Sequence, residues 1–448
     1  MNYFFETYGC QMNSAESAAL SLVCKERGWQ CVTDSAGADL VLINTCSVRL
    51  TAEKRAFGRI AHYAALKKKL KNRFTLVIAG CMAQRLGDKL KKKYPEVDYV
   101  MGTHSGDPGV SPRSSFPLIL EAIEKGVKAD LNISENAVFS FSKSHHEEGQ
   151  FRSFIPIMHG CDNYCSYCIV PYVRGREVSR DPENIMEEIR LTGERGVKEI
   201  TLLGQNVNSY FWSDRSTEKM DFSGLLKKAA AQAENSGVKW IRFLSANPGN
   251  FSSDTIETMA ANRVFCRHIH LPVQHGSDSV LKAMNRGYTT ERFLELVMEI
   301  RRAMPDITIS TDILVGFPGE TEEDVEKTLE LMEEVKFIYS FMYHFNPREG
   351  TAAFGLPDRI SEEVKRERLS RVIALQKKHT SQLLKSRIGS TEVALVEGIS
   401  RKNADELITR TEKDEMVVVP GSKALIGTFV KLTLSSLKGN TFRARQLI

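Results

Sequence analysis

The chain has no run of eighteen apolar residues, so a membrane-spanning helix is not expected. Its first residues, Met1-Asn2-Tyr3-Phe4-Phe5-Glu6, lack a basic start followed by an apolar stretch, and no secretory signal is expected either. It also lacks a nucleophile elbow and a zinc-protease motif, which removes the commonest hydrolase readings. Net charge is only +5. Hydrophobic content of 42% and charged content of 26% are those of an ordinary soluble protein. At 448 residues the chain exceeds one compact core, and two to four domains are expected.

What is present is more selective. A cytoplasmic location is expected, and there thiols stay reduced, so clustered cysteines point to metal or catalysis rather than disulfides. Of nine cysteines, Cys24, Cys31 and Cys266 stand alone and read as small buried hydrophobes. The other six form two patterned groups. Charge is patterned too: residues 379–448 carry eleven Lys and Arg against seven Asp and Glu, so +4 of the +5 sits there. A basic terminal module suits a polyanionic partner, with a solvated lysine surface as the plain alternative. Lys67-Lys68-Lys69-Leu70-Lys71 and Lys89-Leu90-Lys91-Lys92-Lys93 read as exposed helix faces.

The first hundred residues alternate strand and helix. Tyr3–Tyr8, Asp39–Asn44 and Thr75–Ala79 have strand character, with helical patterns at Ser14–Arg27 and Thr51–Lys71. Such alternation implies a doubly wound parallel sheet. Gly and Pro break the rhythm over Ser105–Arg113, and Ser142–Gly149 reads as a linker. A second series follows, with strands at Phe154–Met158, Glu199–Leu203, Trp240–Leu244, His268–Pro272, Thr308–Ile313 and Ile338–Phe345. Helices at Pro182–Arg195, Thr290–Arg302 and Thr321–Val335 fall between them. Six units suit a partial (β/α)6 barrel. After a helix at Glu362–Lys385, short strands at Val393–Glu397, Glu406–Thr411, Glu415–Val419 and Phe429–Leu434 suit a small β-barrel of the oligonucleotide-binding sort, or a small dimerisation sandwich. The expected division is 1–117, a linker at 118–146, 147–376 and 379–448.

Cys161, Cys165 and Cys168 follow the first strand of the barrel series directly. Three thiolates, where an electron carrier uses four, leave one iron of a cluster open to a small molecule. An open position separates catalytic from structural zinc in the same way. The competing reading is a zinc held by these cysteines and His159, although a residue two before Cys161 at a strand end is poorly placed to close that tetrahedron. Cys10, Cys46 and Cys81 are spaced by one strand–helix unit each, and every one ends a strand. In a parallel sheet the strand ends share one edge, so the three should converge there as a second metal site. Gly9 and Gly80 let the backbone approach whatever is bound.

The signature Cys161-Asp162-Asn163-Tyr164-Cys165-Ser166-Tyr167-Cys168 resembles that of the radical S-adenosylmethionine superfamily. Two such triads together resemble the methylthiotransferase family within it. Gly9-Cys10-Gln11-Met12-Asn13, Asn44-Thr45-Cys46-Ser47-Val48-Arg49 and Pro171-Tyr172-Val173-Arg174-Gly175-Arg176-Glu177-Val178-Ser179-Arg180 carry the likeness. So do His270-Leu271-Pro272-Val273-Gln274-His275-Gly276-Ser277 and Val315-Gly316-Phe317-Pro318-Gly319-Glu320-Thr321. The closing strands look like a TRAM domain, which implies RNA contact. Leu202-Leu203-Gly204-Gln205-Asn206-Val207-Asn208-Ser209-Tyr210 is similar to the branch acting on N(6)-dimethylallyladenosine beside the tRNA anticodon.

The resemblance implies two 4Fe-4S clusters, one on each triad, and two S-adenosyl-L-methionine molecules per turnover. It further implies tRNA as partner, a flavodoxin- or ferredoxin-type electron donor, no membrane, and a monomer. His159 stands where Glu is common in the family, and Tyr343-His344-Phe345-Asn346 departs from its usual run; both bear on substrate fit. Gln205, Asn206, Ser245, Gln274 and Asp312, at expected strand ends, are candidates to line the cofactor pocket, or simply satisfy loop backbone. Arg174, Arg176 and Arg180 suit phosphate or carboxylate contact, or ion pairs with Glu177 or Glu183. Arg401, Lys402, Arg410, Arg443 and Arg445 are candidate phosphate contacts. Rival functions are methylthiolation of threonylcarbamoyl-adenosine tRNA or of a ribosomal-protein side chain, non-catalytic RNA binding with structural metal, and electron carriage.

Overall fold

The computed structural model describes residues 1–47, 50–70, 73–103, 113–129, 149–214 and 218–446. Most of the expected break at 105–113 and of the expected linker at 142–149 lies outside them.

Leu40–Thr45 and Thr75–Gly80 are nearly continuous apolar runs, which is what strands covered on both faces require. They lie at the centre of a five-stranded sheet in the order Gln30–Cys31, Asn2–Tyr8, Leu40–Thr45, Thr75–Gly80, Tyr99–Met101, and every neighbouring pair is parallel. Leu20 and Cys24 of the helix Gln11–Glu26 cover one face, and Ala56, Ile60 and Leu90 from two further helices cover the other. The module is therefore doubly wound, as expected. The helix Phe116–Glu124 inserts Phe116, Ile119 and Leu120 into the same core. The expected boundary at 117 thus falls inside an element of this module.

Six parallel strands form the central arc, as two three-stranded sheets. Arg152–Pro156, Glu199–Leu203 and Trp240–Phe243 make one; His268–His270, Thr308–Val315 and Tyr339–His344 make the other. A bridge from Ile241 to Phe265 joins them. Met158 and His159 leave the first strand to pair with Val178–Ser179, so that strand is shorter than its apolar run suggests. A single core of strand and helix side chains backs the arc. This is the expected open barrel.

The helix Glu362–Lys385 packs on the last arc strand, and its Leu384 enters the core of the next module. The expected boundary at 376–379 therefore lies within one continuous helix. The last module is a closed five-stranded barrel that includes a strand, Thr441–Gln446, not anticipated from the sequence. It docks beneath the amino ends of the arc strands. Arg242 donates to the Glu412 and Thr411 carbonyls at 2.9 and 3.0 Å, Arg152 pairs with Glu397 at 2.5 Å, and the Trp240 and Phe429 rings stand 4.7 Å apart.

The doubly wound module occupies the opposite end. Met12 and Ala15 of its first helix pack on Leu203, Phe154 and Leu244. Among the described residues no helix is long and apolar enough to cross a membrane.

Candidate active site

The first triad is built by strand ends at a switch point. Strand order reverses beside Asn2–Tyr8, the position at which open parallel sheets bind ligands. Cys10 follows that strand and caps the helix Gln11–Glu26; Cys46 follows its neighbour; Cys81 opens the helix Cys81–Lys93 after the next. Two helix N-termini thus face the thiols, and their partial positive charge favours an anionic occupant. Asn13 pins the corner: its side chain accepts from the Cys10 N–H at 3.3 Å and donates to Asn44 at 3.0 Å and to the Thr45 carbonyl at 3.3 Å. Gly9 is required by space, since a Cβ there would stand 2.9 Å from the Cys46 Cβ. Gly80 is required by conformation as well, with φ of +95°.

The second triad sits on the loop after the first arc strand, and this loop is tied at several points. The Cys161 N–H donates to the Gly175 carbonyl at 3.2 Å, and Ser166 is held by the carbonyls of Met284 and Ala283. Asn285 donates to the carbonyls of Asn163 and Tyr164 at 3.0 and 3.1 Å. Tyr164 has positive φ, a strained conformation of the kind that collects at functional loops. Arg286 donates to the Cys165 sulfur at 3.3 Å, and its other nitrogens bond Tyr288 and the Pro272 carbonyl.

The donor sets fit iron–sulfur clusters. All six cysteines are free; Cys46, Cys81, Cys161 and Cys165 are buried, and Cys10 and Cys168 are half-buried. Hydrogen bonding with Cys46, helped by the Arg174 charge, pulls the Cys10 thiol down to about 6. Burial pushes Cys161 and Cys168 up to about 12 and raises Cys81. Thiols held neutral by burial need a cationic partner to ionise, and a metal cluster supplies one. Arg174 beside the first triad and Arg286 beside the second would offset the negative charge of a thiolate-ligated cluster. Among the described residues no three or more His, Cys, Asp or Glu side chains converge on a single metal ion.

The two foci are adjacent. Cys81 packs directly on Ile169 and Val173, and the helix Val170–Arg174 begins two residues after Cys168. At 1.5 Å per residue that five-residue helix is only about 7.5 Å long. Thr103 donates to the Val173 carbonyl across the same interface. A charged chain runs beside it: Arg348 to Glu53 at 3.3 Å, Glu53 to Arg85 at 2.5 Å, and Arg85 to Ser47 at 2.7 Å, next to Cys46.

The five pocket candidates lie on the inner face or upper rim of the arc but differ in role. Gln205 accepts from the Gly160 N–H at 2.6 Å and so braces the second triad's loop. Asn206 is buried, donates to Glu177 and Ser209, and keeps a buried Oδ1 without a hydrogen-bond partner. Ser245 and Gln274 both have positive φ, at +68° and +73°. Asp312 is not at a strand end: its strand continues to Val315, so the residue faces inward from mid-strand, 3.5 Å from His270. On the same inner face Phe341 and Tyr343 stand half exposed, two residues apart on the last strand.

Four expectations need correction. Arg174 and Arg180 are buried and paired with Glu16 at 2.8 Å and Glu188 at 2.6 Å, so neither is available to tRNA phosphate; only Arg176, paired with Asp162, is exposed. Arg410 is committed to Glu397 and Asp414, and Arg443 to Glu406, leaving Arg401, Lys402 and Arg445 as the exposed candidates of that module. Cys31 is exposed, and Lys67 is buried against Asp98. Arg286, Glu16, Glu53 and Arg348 went unread in the sequence because each has a partner more than a hundred positions away, and Tyr288 because its hydroxyl meets only Arg286 and loop carbonyls.

Comparison with known proteins agrees with this arrangement. The Radical SAM superfamily matches residues 155–332, the TRAM domain 385–447, and an uncharacterized protein family, UPF0004, residues 2–102. The tRNA-2-methylthio-N(6)-dimethylallyladenosine synthase of Treponema denticola is 49% identical over 99% of both chains. The same-named proteins of Treponema pallidum and Syntrophus aciditrophicus are 48% and 39% identical over 99% of this chain, covering 98% and 94% of theirs. Among solved structures, the radical S-adenosylmethionine methyltransferase TsrM of Kitasatospora setae has a TM-score of 0.57 at 16% identity, covering 79% of this chain and 77% of its own. The cobalamin-dependent S-adenosylmethionine radical enzyme OxsB has a TM-score of 0.53 at 10% identity, covering 84% and 56%. These two share the fold. With 49% identity along the whole chain, the protein belongs to the family of tRNA-2-methylthio-N(6)-dimethylallyladenosine synthases, radical S-adenosylmethionine enzymes that carry a TRAM domain.

Proposed function

We propose that this chain inserts a methylthio group into N(6)-dimethylallyladenosine next to the tRNA anticodon. The observation that carries the reading is the facing of two cysteine triads across one short helix, Val170–Arg174. Cys161, Cys165 and Cys168 would hold a 4Fe-4S cluster whose open iron takes S-adenosylmethionine; Cys10, Cys46 and Cys81 would hold a second. Bound there, the two groups supply a 5′-deoxyadenosyl radical able to remove hydrogen from an unreactive C–H bond, and the sulfur that replaces it.

The chain's own work is placement. Arg286 stabilises the Cys165 thiolate. Gln205 fixes Gly160, and with it the approach to Cys161. Asn206, Ser245, Gln274 and Asp312 line the inner face where the cofactor's polar groups would bind. Phe341 and Tyr343 offer flat apolar surface to the modified base. The doubly wound module roofs the arc through Met12 and Ala15 and shields the radical from water. The terminal barrel presents Arg401 and Lys402 toward tRNA phosphate. Two S-adenosylmethionine molecules per turnover, an electron donor of the flavodoxin or ferredoxin kind, a monomeric state and a cytoplasmic location complete the reading.

The test is anaerobic turnover of cluster-loaded protein with tRNA bearing dimethylallyladenosine, followed by mass spectrometry of nucleosides. Wild type should give the methylthio product. Cys46→Ala should give 5′-deoxyadenosine without product, and Cys165→Ala neither. Product from Cys46→Ala would refute the role of the first triad. Turnover only with threonylcarbamoyl-adenosine tRNA would reassign the substrate.

A further inference from the structure

The Arg174 guanidinium is the most completely buried positive charge at the junction, and its pairing is asymmetric. One terminal nitrogen, Nη1, meets Glu16 at 2.8 Å; both side chains are 3% exposed. The other, Nη2, is buried with no hydrogen-bond partner in the protein. A guanidinium has five donors, and leaving one dry and unpaired costs on the order of 1–3 kcal/mol. Such a donor needs an acceptor, and the group beside the Arg174 guanidinium is the Cys81 sulfur. Arg174 closes the helix Val170–Arg174, whose Val173 and preceding Ile169 contact Cys81. Glu16 lies on the helix that Cys10 caps. The pair therefore spans the two modules beside the sulfurs of Cys81 and Cys10.

From this geometry we infer that Arg174 is a positioning residue for the first triad: its free Nη2 donates to a sulfur of the cluster held there, and the Arg174–Glu16 pair sets that cluster's reduction potential. The inference rests on the reading of Cys10, Cys46 and Cys81 as cluster ligands. Reduction adds negative charge to the cluster. A nearby cation stabilises the reduced form and raises the potential, while a nearby anion lowers it; hydrogen bonds to sulfur raise it. Arg174→Gln removes the cation while the Glu16 anion stays, and should shift the potential negative. Glu16→Gln leaves Arg174 uncompensated and should shift it positive. A pair that merely clamps the modules together predicts shifts of the same kind, or none, in both.

The experiment uses the full chain with Cys161, Cys165 and Cys168 replaced by Ala, so that only the first triad can assemble a cluster. After anaerobic reconstitution, redox titration followed by electron paramagnetic resonance gives the potential in the Arg174→Gln, Arg174→Lys and Glu16→Gln backgrounds. Opposite shifts for Arg174→Gln and Glu16→Gln, with Arg174→Lys between Arg174→Gln and the parent, support the inference. Equal or absent shifts overturn it. If Arg174→Gln does not retain a cluster, the sign of the Glu16→Gln and Arg174→Lys shifts decides. A parent protein that binds no iron at all overturns the cluster reading itself, which separates that failure from this one.

Discussion

Gly80→Ala should cripple sulfur insertion while sparing radical formation. Gly80 has φ of +95°, where an L side chain is strained by roughly 1–2 kcal/mol. A Cβ there would overlap the Asn44 Oδ1 and the Thr45 carbonyl and lie 3.0 Å from the Thr45 nitrogen. Asn44 cannot rotate away, because it donates to the Asn13 carbonyl at 2.9 Å and to Ser17 at 3.0 Å and accepts from Asn13. Thr45 is fixed in the sheet ladder. Overpacking of that kind adds about 1–3 kcal/mol, for a total of about 2–5 kcal/mol. Thr45 and Gly80 immediately precede Cys46 and Cys81, so relief of the clash must move two of three ligands. Iron content should fall from about eight to about four per chain, and methylthio product should fall with it. Calorimetry should show the first module melting on the order of 10 °C earlier. Full iron loading with unchanged melting in Gly80→Ala would refute this account of the site.

Further outcomes follow from other parts of the chain. Arg180→Ala removes one partner of a buried ion pair with Glu188 and should cost about 3–5 kcal/mol in denaturant unfolding; a loss under 1 kcal/mol contradicts the buried pair. Burial holds the His268 imidazole down at about 4, against an ordinary 6.5. A lowered folded value favours the neutral ring, so this stability is complete above pH 6.5 and declines toward pH 4 by up to about 3 kcal/mol. His268→Gln should flatten that part of the stability–pH curve, and an unchanged curve counts against it. Phe341→Ala removes a half-exposed ring, so stability should change by less than about 0.5 kcal/mol. The KM for tRNA should instead rise roughly 5- to 100-fold if the ring stacks on the base; an unchanged KM removes Phe341 from the site.

Much of this was legible because it is periodic or local. Glu362–Lys385 and Glu406–Thr411 were read to the residue, since helical spacing and strict alternation both mark them. The placement of Cys10, Cys46 and Cys81 was legible because strand-end spacing converts sequence distance into proximity on one sheet edge. The two-residue strands, Gln30–Cys31 and Met158–His159, were not, because pairing that short is set by neighbours rather than by pattern. Extension of the strand at 308 to Val315 moved Asp312 from rim to interior, a difference apolar content alone does not reveal. Arg174 was misread and Arg348 unread because their partners lie far along the chain: Arg174 meets Glu16 158 positions away, and Arg348 meets Glu53 295 away. Local charge suggested Glu177 and Glu183, and burial chose otherwise.

The central claim is that two triads in one interface divide radical generation from sulfur delivery. Single-turnover assays on anaerobically loaded wild type and Cys46→Ala, each with dimethylallyladenosine tRNA, test it most directly by measuring 5′-deoxyadenosine and methylthio nucleoside together. The account expects both products from wild type and 5′-deoxyadenosine alone from Cys46→Ala. Methylthio nucleoside from the variant, or loss of both products together with an intact second cluster, contradicts it.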